Sequence, residues 1–180
     1  HQAFSRIVGL EPDFLIYTGD STRHDRDMDL PRSDNDLVSQ LSFVSGKFEN
    51  LFFVHNIPVY PAIGNWDVFP KDMLANNDTY SLELIWTQWG KFLSKYDTVK
   101  ETFLQGGYYK IDSVSDTMTN LGVISINTLF WFSSNERVED CSTDLEFIDS
   151  KGNYNSGDKV SFNPDRQLLW LNYVLKNSDI

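Results

Sequence analysis

Residues 13–25, DFLIYTGDSTRHD, join a short apolar run to a glycine and then to a cluster of polar and charged side chains. The run from Phe14 to Thr18 is almost continuously apolar and ends at Gly19. Such a run is typical of a strand that is buried on both faces, as in a parallel sheet covered by helices. The stretch therefore predicts a buried strand with a polar loop at its carboxyl end.

The chain that follows predicts a helix and then a second strand of the same kind. Apolar residues recur at steps of three and four between Leu37 and Phe52, which indicates a helical face, and Asn56 to Pro58 ends the helix. Val59 to Ile63 is a second short apolar run, and Gly64-Asn65-Trp66-Asp67 follows it. Strand, helix and strand in this order form a βαβ unit, which implies parallel pairing.

The second half of the chain is expected to add two helices, a hairpin and a long loop. A helix is predicted over Tyr80 to about Tyr96, and Tyr108 to Ile126 is typical of a hairpin in the same sheet. The polar stretch from Ser133 to Gly157 is predicted to be a long loop. Asn163-Pro164-Asp165 would begin a last helix. The predicted fold class is therefore α/β.

The composition indicates a packed, acidic protein. Of the 180 residues, 41% are hydrophobic and 14% are aromatic, which excludes intrinsic disorder. The net charge of −11 argues against a nucleic-acid binder, which should carry a basic face, and against an anionic membrane surface as partner. No window approaches the length of a membrane span, and the first residues lack a signal-peptide layout. The sequence leaves the oligomeric state open.

Two isolated features concern the cellular compartment. Cys141 is the only cysteine, so it is either a buried thiol or the partner of a cysteine outside this chain. Asn77-Asp78-Thr79 matches an N-glycosylation sequon, so Asn77 is predicted to be glycosylated in a secretory-pathway protein.

The chemistry is expected where the two predicted strands end. Ligands of open α/β sheets bind outside the carboxyl ends of the strands, and Asp20 and Asn65 both follow a strand and a glycine. Their oxygens, with a nitrogen of His24, suit divalent cations. Each motif alone also fits an ordinary turn. A shared site requires the two loop tips to converge, whereas an unrelated α/β domain with chance turns would keep Asp20 and Asn65 apart.

The combination resembles the calcineurin-like metallophosphoesterases, and within them the branch that holds acid sphingomyelinase-like phosphodiesterases and fungal vacuolar endopolyphosphatases. That resemblance implies a β-sandwich flanked by helices. Residues 1–180 would be the central portion of a single phosphoesterase domain, without its first and last metal-ligand motifs. The matching stretches are DFLIYTGDSTRHDRD (13–27), PVYPAIGNWDVFPKDML (58–74), GGYYKIDS (106–113), LGVISINTLFWFSSN (121–135) and DRQLLWLNYVL (165–175).

The resemblance also implies roles for individual residues. Asp20 matches the aspartate that bridges two divalent metal ions, and Asn65 matches the asparagine that binds the second ion. The identity of the ions stays open among Mn, Fe, Zn, Co and Mg. His24 matches a histidine near the phosphoryl group, which makes it a catalytic and substrate-binding candidate. Arg23 is a further substrate-binding candidate, and Arg26 and Lys71 could also attract a polyanion.

One departure from the family bears on the substrate. Trp66 stands where the family has a histidine that protonates the leaving group, and an indole cannot transfer a proton near neutral pH. A phosphate leaving group, with a second pKa of about 6, needs this acid less than an alkoxide does. The resemblance therefore favours hydrolysis of phosphoanhydride bonds in inorganic polyphosphate by an enzyme of the vacuole lumen, membrane-anchored outside this segment. A sphingomyelinase-like phosphodiesterase and a catalytically degenerate binding module remain the alternatives.

Overall fold

The computed structural model describes residues 2–24, 30–76, 78–96, 98–116, 118–138 and 165–177. Single turns of 3₁₀ helix at Phe53–His55 and Thr128–Trp131 join longer elements. The helices and strands of the described residues are, in chain order, α1 (Gln2–Val8), β1 (Leu15–Tyr17), α2 (Asp34–Leu51), β2 (Val59–Pro61), α3 (Thr79–Leu93), α4 (Val99–Gly106), β3 (Tyr109–Ile111), β4 (Val123–Ser125) and α5 (Asp165–Asn177).

β1, α2 and β2 form the βαβ unit that the sequence predicts. β1 and β2 pair in parallel, with Leu15 opposite Val59 and Tyr17 opposite Pro61. Ser33 starts α2 with a capping box, because its hydroxyl accepts from the Asp36 N–H while the Asp36 carboxylate accepts from the Ser33 N–H. Parallel pairing brings the carboxyl ends of both strands to the same edge of the sheet.

The hydrophobic core lies between this unit and the helices that follow it. α2 and α3 pack against each other, and Phe48 of α2 stacks on Trp89 of α3 with ring centroids 6.1 Å apart. Asp78 caps α3 by accepting from the Ser81 N–H. The largest fully buried side chains are Trp89, Tyr60, Tyr109, Phe48, Phe52, Phe92, Phe103, Leu41, Leu74, Leu82, Ile85 and Leu93.

The predicted hairpin is present, but it does not belong to the same sheet. β3 and β4 pair antiparallel, and within the described residues they form a separate two-stranded sheet. The Tyr109 hydroxyl donates to the Pro61 carbonyl oxygen at 2.9 Å. This side-chain bond at the end of β2 links the two sheets where a backbone ladder was expected.

Three further expectations need correction or fall outside the description. β1 is not buried on both faces, because Ile16 is 57% exposed. The helix predicted to reach Tyr96 ends at Leu93, and α4 follows it as a separate short helix. Most of the predicted long loop, including Cys141, and residues 163–164 of the predicted cap lie outside the described residues. The α/β class itself is confirmed.

Candidate functional site

The loop tips after β1 and β2 touch each other at two glycines. A β-carbon placed on Gly19 would lie 2.6 Å from the Gly64 Cα, and one placed on Gly64 would lie 3.0 Å from the Asp20 Cα. Gly19 also has a φ of +85°, which favours glycine. The two tips therefore converge because neither glycine carries a side chain, and this contradicts the alternative of chance turns that lie apart.

Asp67 fastens the two tips together. One of its carboxylate oxygens accepts from the backbone N–H groups of Asp20 and Gly64, both at 2.9 Å, and the other accepts from the Ser21 N–H at 2.7 Å. The side chain is 1% exposed. Burial raises the pKa of the Asp67 carboxyl, the three N–H donors oppose that shift, and the Asp20 charge adds to it.

Asp20 projects from the first tip in a left-handed backbone conformation, with a φ of 61°. Its Oδ1 accepts from the Trp66 N–H at 3.1 Å, so its side chain reaches across to the second loop. Its Oδ2 lies 3.6 Å from the His24 Nε2. Asp20 and His24, which the sequence predicts as site residues, are thus in contact.

Asn65 occupies the second tip beside Asp72. The Asn65 Nδ2 donates to the Asp72 Oδ1 at 2.6 Å, and the Asp72 N–H donates to the Asn65 carbonyl oxygen at 3.0 Å. Lys71 lies next to this pair, with its Nζ 3.4 Å from the Asp72 Oδ2. Sequence reasoning did not single out Asp72, because an aspartate seven residues after Asn65 has no periodic or motif signal.

Asp20 and Asn65 open onto one cavity of about 610 Å³. The lining combines their polar side chains and that of Asp72 with the aromatic side chains of Trp131 and Phe132. The remaining lining residues are Thr18, Ile63, Gly64, Thr128 and Leu129. The cavity therefore offers carboxylate and amide oxygens at the edge of the sheet where the sequence predicts a ligand site.

Trp66 packs beside the cavity among cationic side chains. Its ring stacks on the His24 ring with centroids 4.7 Å apart and planes inclined by 12°. The Lys71 Nζ lies 4.8 Å and the Arg32 Cζ lies 5.2 Å from the Trp66 ring centroid. Trp66, the residue that departs from the family pattern, is thus the ring against which His24 stacks.

Arg32 is a buried residue that hydrogen-bonds to the loop after β2. The sequence analysis did not identify it. It is 2% exposed, and its guanidinium donates to the Thr22 hydroxyl and the Trp66 carbonyl oxygen at 2.7 Å and to the Val68 carbonyl oxygen at 3.2 Å. Thr22 also donates to the Trp66 carbonyl oxygen. These bonds hold the carbonyl groups of Trp66 and Val68 in place.

The structure places Arg23 away from the cavity. Its backbone N–H donates to the Gln40 Oε1, and its guanidinium donates to the carbonyl oxygens of Leu30 and Pro31. Neither Arg23 nor His24 is among the described residues that line the cavity. Arg26 and Asn77, the predicted glycosylation site, lie outside the described residues.

The donor set at the cavity is compatible with divalent cations but incomplete. Asp20 supplies a carboxylate and Asn65 an amide, both of them hard oxygen donors of the kind that such cations prefer. Within the described ranges, no group of three or more His, Cys, Asp or Glu side chains is arranged to hold a metal ion. The same parts of the chain contain no helix with the length and apolar character needed to cross a membrane.

Known proteins with sequences similar to this chain are fungal endopolyphosphatases. No protein-family model matches the chain. The endopolyphosphatase of Cryptococcus neoformans is 31% identical over 131 residues, which cover 73% of this chain and 18% of that protein. The endopolyphosphatase of Saccharomyces cerevisiae is 30% identical over 173 residues, or 91% of this chain and 22% of that protein. The endopolyphosphatase of Debaryomyces hansenii is 32% identical over 175 residues, which cover 91% of this chain and 22% of that protein.

These relatives come from three different fungi and share a name and a similar degree of identity to this chain. The chain spans about a fifth of the length of the curated relatives it matches. The matches extend over most of the chain, and the predicted resemblance to the endopolyphosphatase branch is therefore confirmed. Over most of its length this chain is an endopolyphosphatase-like sequence, homologous to one segment of the fungal endopolyphosphatases.

Proposed function

We propose that this chain is the central part of a phosphohydrolase domain that cleaves phosphoanhydride bonds in inorganic polyphosphate with the help of two divalent metal ions. The observation that carries the proposal is the convergence of Asp20 and Asn65, from neighbouring loop tips, on one cavity. The fungal relatives are named endopolyphosphatases, which supports the substrate. In this proposal the two small sheets belong to the β-sandwich of a metallophosphoesterase.

Asp20 and Asn65 would hold the metal ions in the cavity that both residues line. Ions of this kind, when bound, lower the pKa of water and offset charge that develops on phosphate oxygens. Asp67 and Arg32 hold the two loops together by hydrogen bonds, so that Asp20 and Asn65 line the same cavity. Further ligands would have to come from residues beyond these two.

His24, which lies beside Asp20, would bind the phosphoryl group of the substrate and take part in catalysis. Its contacts to the Asp20 carboxylate and to the Trp66 ring restrain the imidazole on two sides. Trp66 cannot donate a proton to the leaving group in place of the family's histidine. A phosphate leaving group tolerates this loss better than an alkoxide, which favours phosphoanhydrides over phosphodiesters.

The cellular setting is part of the proposal. We place the complete protein in the vacuole lumen, anchored to the membrane through a segment outside this chain and glycosylated at Asn77. These statements follow from the family resemblance and from the sequon. Digestion with an endoglycosidase, followed by a gel-mobility measurement on wild type and Asn77→Gln, tests the glycosylation.

Metal analysis combined with a polyphosphate assay tests the proposed activity. The complete native protein should carry divalent ions and shorten polyphosphate chains on a gel. Asp20→Asn keeps the acceptor for the Trp66 N–H but removes the charge, so it should lose metal and activity together. Asp112→Asn is the matched control, because the Asp112 side chain is 83% exposed.

The rival function is a binding module that keeps the fold without catalysis, and Trp66 is the observation that favours it. A folded wild-type protein that contains no divalent ions and leaves polyphosphate intact would support this module and refute the enzyme. Ions without polyphosphate cleavage, but with cleavage of a phosphodiester, would keep the hydrolase and refute the substrate.

A further inference from the structure

We infer that Asp72 is a positioning residue that turns the Asn65 amide so that its oxygen, and not its nitrogen, is offered to a divalent cation in the cavity. The inference rests on the proposed function, because it concerns a ligand of the proposed metal site. It assigns a role to a residue that neither the sequence motifs nor the family resemblance single out.

Asn65 and Asp72 are joined by a reciprocal pair of hydrogen bonds. The Asn65 Nδ2 donates to the Asp72 Oδ1 at 2.6 Å, and the Asp72 backbone N–H donates back to the Asn65 carbonyl oxygen at 3.0 Å. Both residues line the same cavity. The side chain and the backbone of Asp72 are therefore both engaged with Asn65.

The chemistry of the two groups decides the orientation of the amide. An ionised carboxylate only accepts hydrogen bonds, whereas a primary amide has a donor nitrogen and an acceptor oxygen. Only the nitrogen of Asn65 can therefore face the carboxylate of Asp72. The amide oxygen is then directed away from Asp72, and it is the atom of this side chain that can ligate a hard cation. A charge-assisted bond to a carboxylate is also stronger than a neutral one.

The surroundings hold the Asp72 carboxylate in place. Its side chain is only 15% exposed, and Lys71 Nζ lies 3.4 Å from the Oδ2. Asp72 has a φ of +69°, a left-handed conformation that glycine adopts without strain and that aspartate and asparagine tolerate better than other residues. Glycine would adopt this backbone conformation more easily than aspartate, but it has no carboxylate. The carboxylate is therefore what distinguishes Asp72 from a glycine at this position.

The left-handed backbone makes a clean experiment possible. Asp72→Gly removes the carboxylate without straining the backbone, and Asp72→Asn keeps an acceptor oxygen that the Asn65 nitrogen can still reach. Asp112→Asn is the control for loss of a carboxylate beside a lysine, since Lys110 pairs with Asp112 on the surface. Mn²⁺ affinity is measured by calorimetry on the complete native protein, and the free energy of unfolding is measured without metal.

The loss of a group that orients a metal ligand commonly weakens metal binding by about 10- to 100-fold. Asp72→Gly should show a loss of this size while the metal-free protein stays folded, and Asp72→Asn and Asp112→Asn should stay within about threefold of wild type. Equal Mn²⁺ affinity in wild type and Asp72→Gly would overturn the inference alone. An equal loss in Asp72→Asn and Asp72→Gly would also overturn it, because it would make Asp72 a direct ligand. A wild-type protein that binds no Mn²⁺ would overturn the proposed metal site as well.

Discussion

The Asp67 carboxylate accepts a hydrogen bond from the Asp20 backbone N–H at 2.9 Å, across 47 positions of the sequence. The same carboxylate accepts from Gly64 and Ser21, so one buried side chain joins the loops that follow β1 and β2. The proposed ligands Asp20 and Asn65 lie on these two loops. The geometry of the site therefore depends on a residue whose side chain is not a proposed ligand.

Asp67→Asn should destabilise the protein and loosen the site. The amide oxygen can replace one carboxylate oxygen, but the amide nitrogen would then face a backbone N–H donor. An unsatisfied buried donor costs about 1–3 kcal/mol, and the free energy of unfolding should fall by that amount in urea denaturation. The exposed Asp112→Asn variant should change it by less than about 0.5 kcal/mol. Equal midpoints for Asp67→Asn and wild type would contradict the fastening role of Asp67.

Gly64 should not tolerate any side chain. The β-carbon of Gly64→Ala would overlap the backbone of Asp20, which cannot move without breaking its bond to Asp67. We expect a loss of about 3 kcal/mol in the free energy of unfolding, the upper end of the usual cost of overpacking.

Gly46 provides the matched control for this substitution. It lies inside α2, and nothing lies within 4 Å of its ideal β-carbon. Gly46→Ala should therefore stabilise the helix by up to about 1 kcal/mol. Similar effects of the two alanine variants would contradict the close contact of the loop tips.

The sequence was sufficient to predict the βαβ unit and the meeting of its loops. Short apolar runs that end in glycine mark β1 and β2, and parallel pairing then brings Asp20 and Asn65 to one edge. The exposed Ile16 was mispredicted, because an apolar run reports the nature of the side chains and not whether a helix covers them.

The parts of the site that were missed depend on contacts between distant residues. Arg32 is buried by three hydrogen bonds and Asp72 is paired with Asn65 by two, and specific bonds of this kind leave no periodic pattern in a sequence. Asp67 stood in the quoted motif, but its three bonds follow only from the approach of the two loops. α4 was missed because a helix of eight residues with two buried apolar side chains, Val99 and Phe103, gives too weak a periodic signal.

Tyr60 should couple the stability of the core to alkaline pH. Its hydroxyl donates to the Val114 carbonyl oxygen at 2.6 Å and pairs with the Tyr96 hydroxyl at 2.9 Å. Burial, with the Tyr96 hydrogen bond, raises the pKa of Tyr60 above its usual value near 10. The unfolded chain therefore gives up this proton first, so the stabilising contribution is complete below pH 10 and is lost as the pH rises above it.

The variant Tyr60→Phe separates this contribution from the rest of the protein. It should cost about 1–3 kcal/mol at pH 7, because the buried Val114 carbonyl loses its donor. Between pH 10 and 11 its free energy of unfolding should fall less steeply than that of wild type, by up to about 1.4 kcal/mol per pH unit. Tyr173→Phe, at an exposed position of α5, should change the free energy of unfolding at pH 7 by less than about 0.5 kcal/mol. Identical slopes for Tyr60→Phe and wild type would contradict the raised pKa.

Trp66→His should shift the substrate preference of the complete native protein. The histidine would restore a group that can protonate an alkoxide leaving group, and general acid catalysis contributes about 10²–10⁴-fold where it is well placed. Hydrolysis of a phosphodiester should therefore rise by about tenfold or more, whereas polyphosphate cleavage should change little because phosphate leaves without this acid. Trp66→Phe keeps an aromatic ring against His24 but no acid, so the ratio of the two activities should remain that of wild type. If Trp66→His changed both activities by the same factor, the link between Trp66 and the choice of leaving group would be refuted.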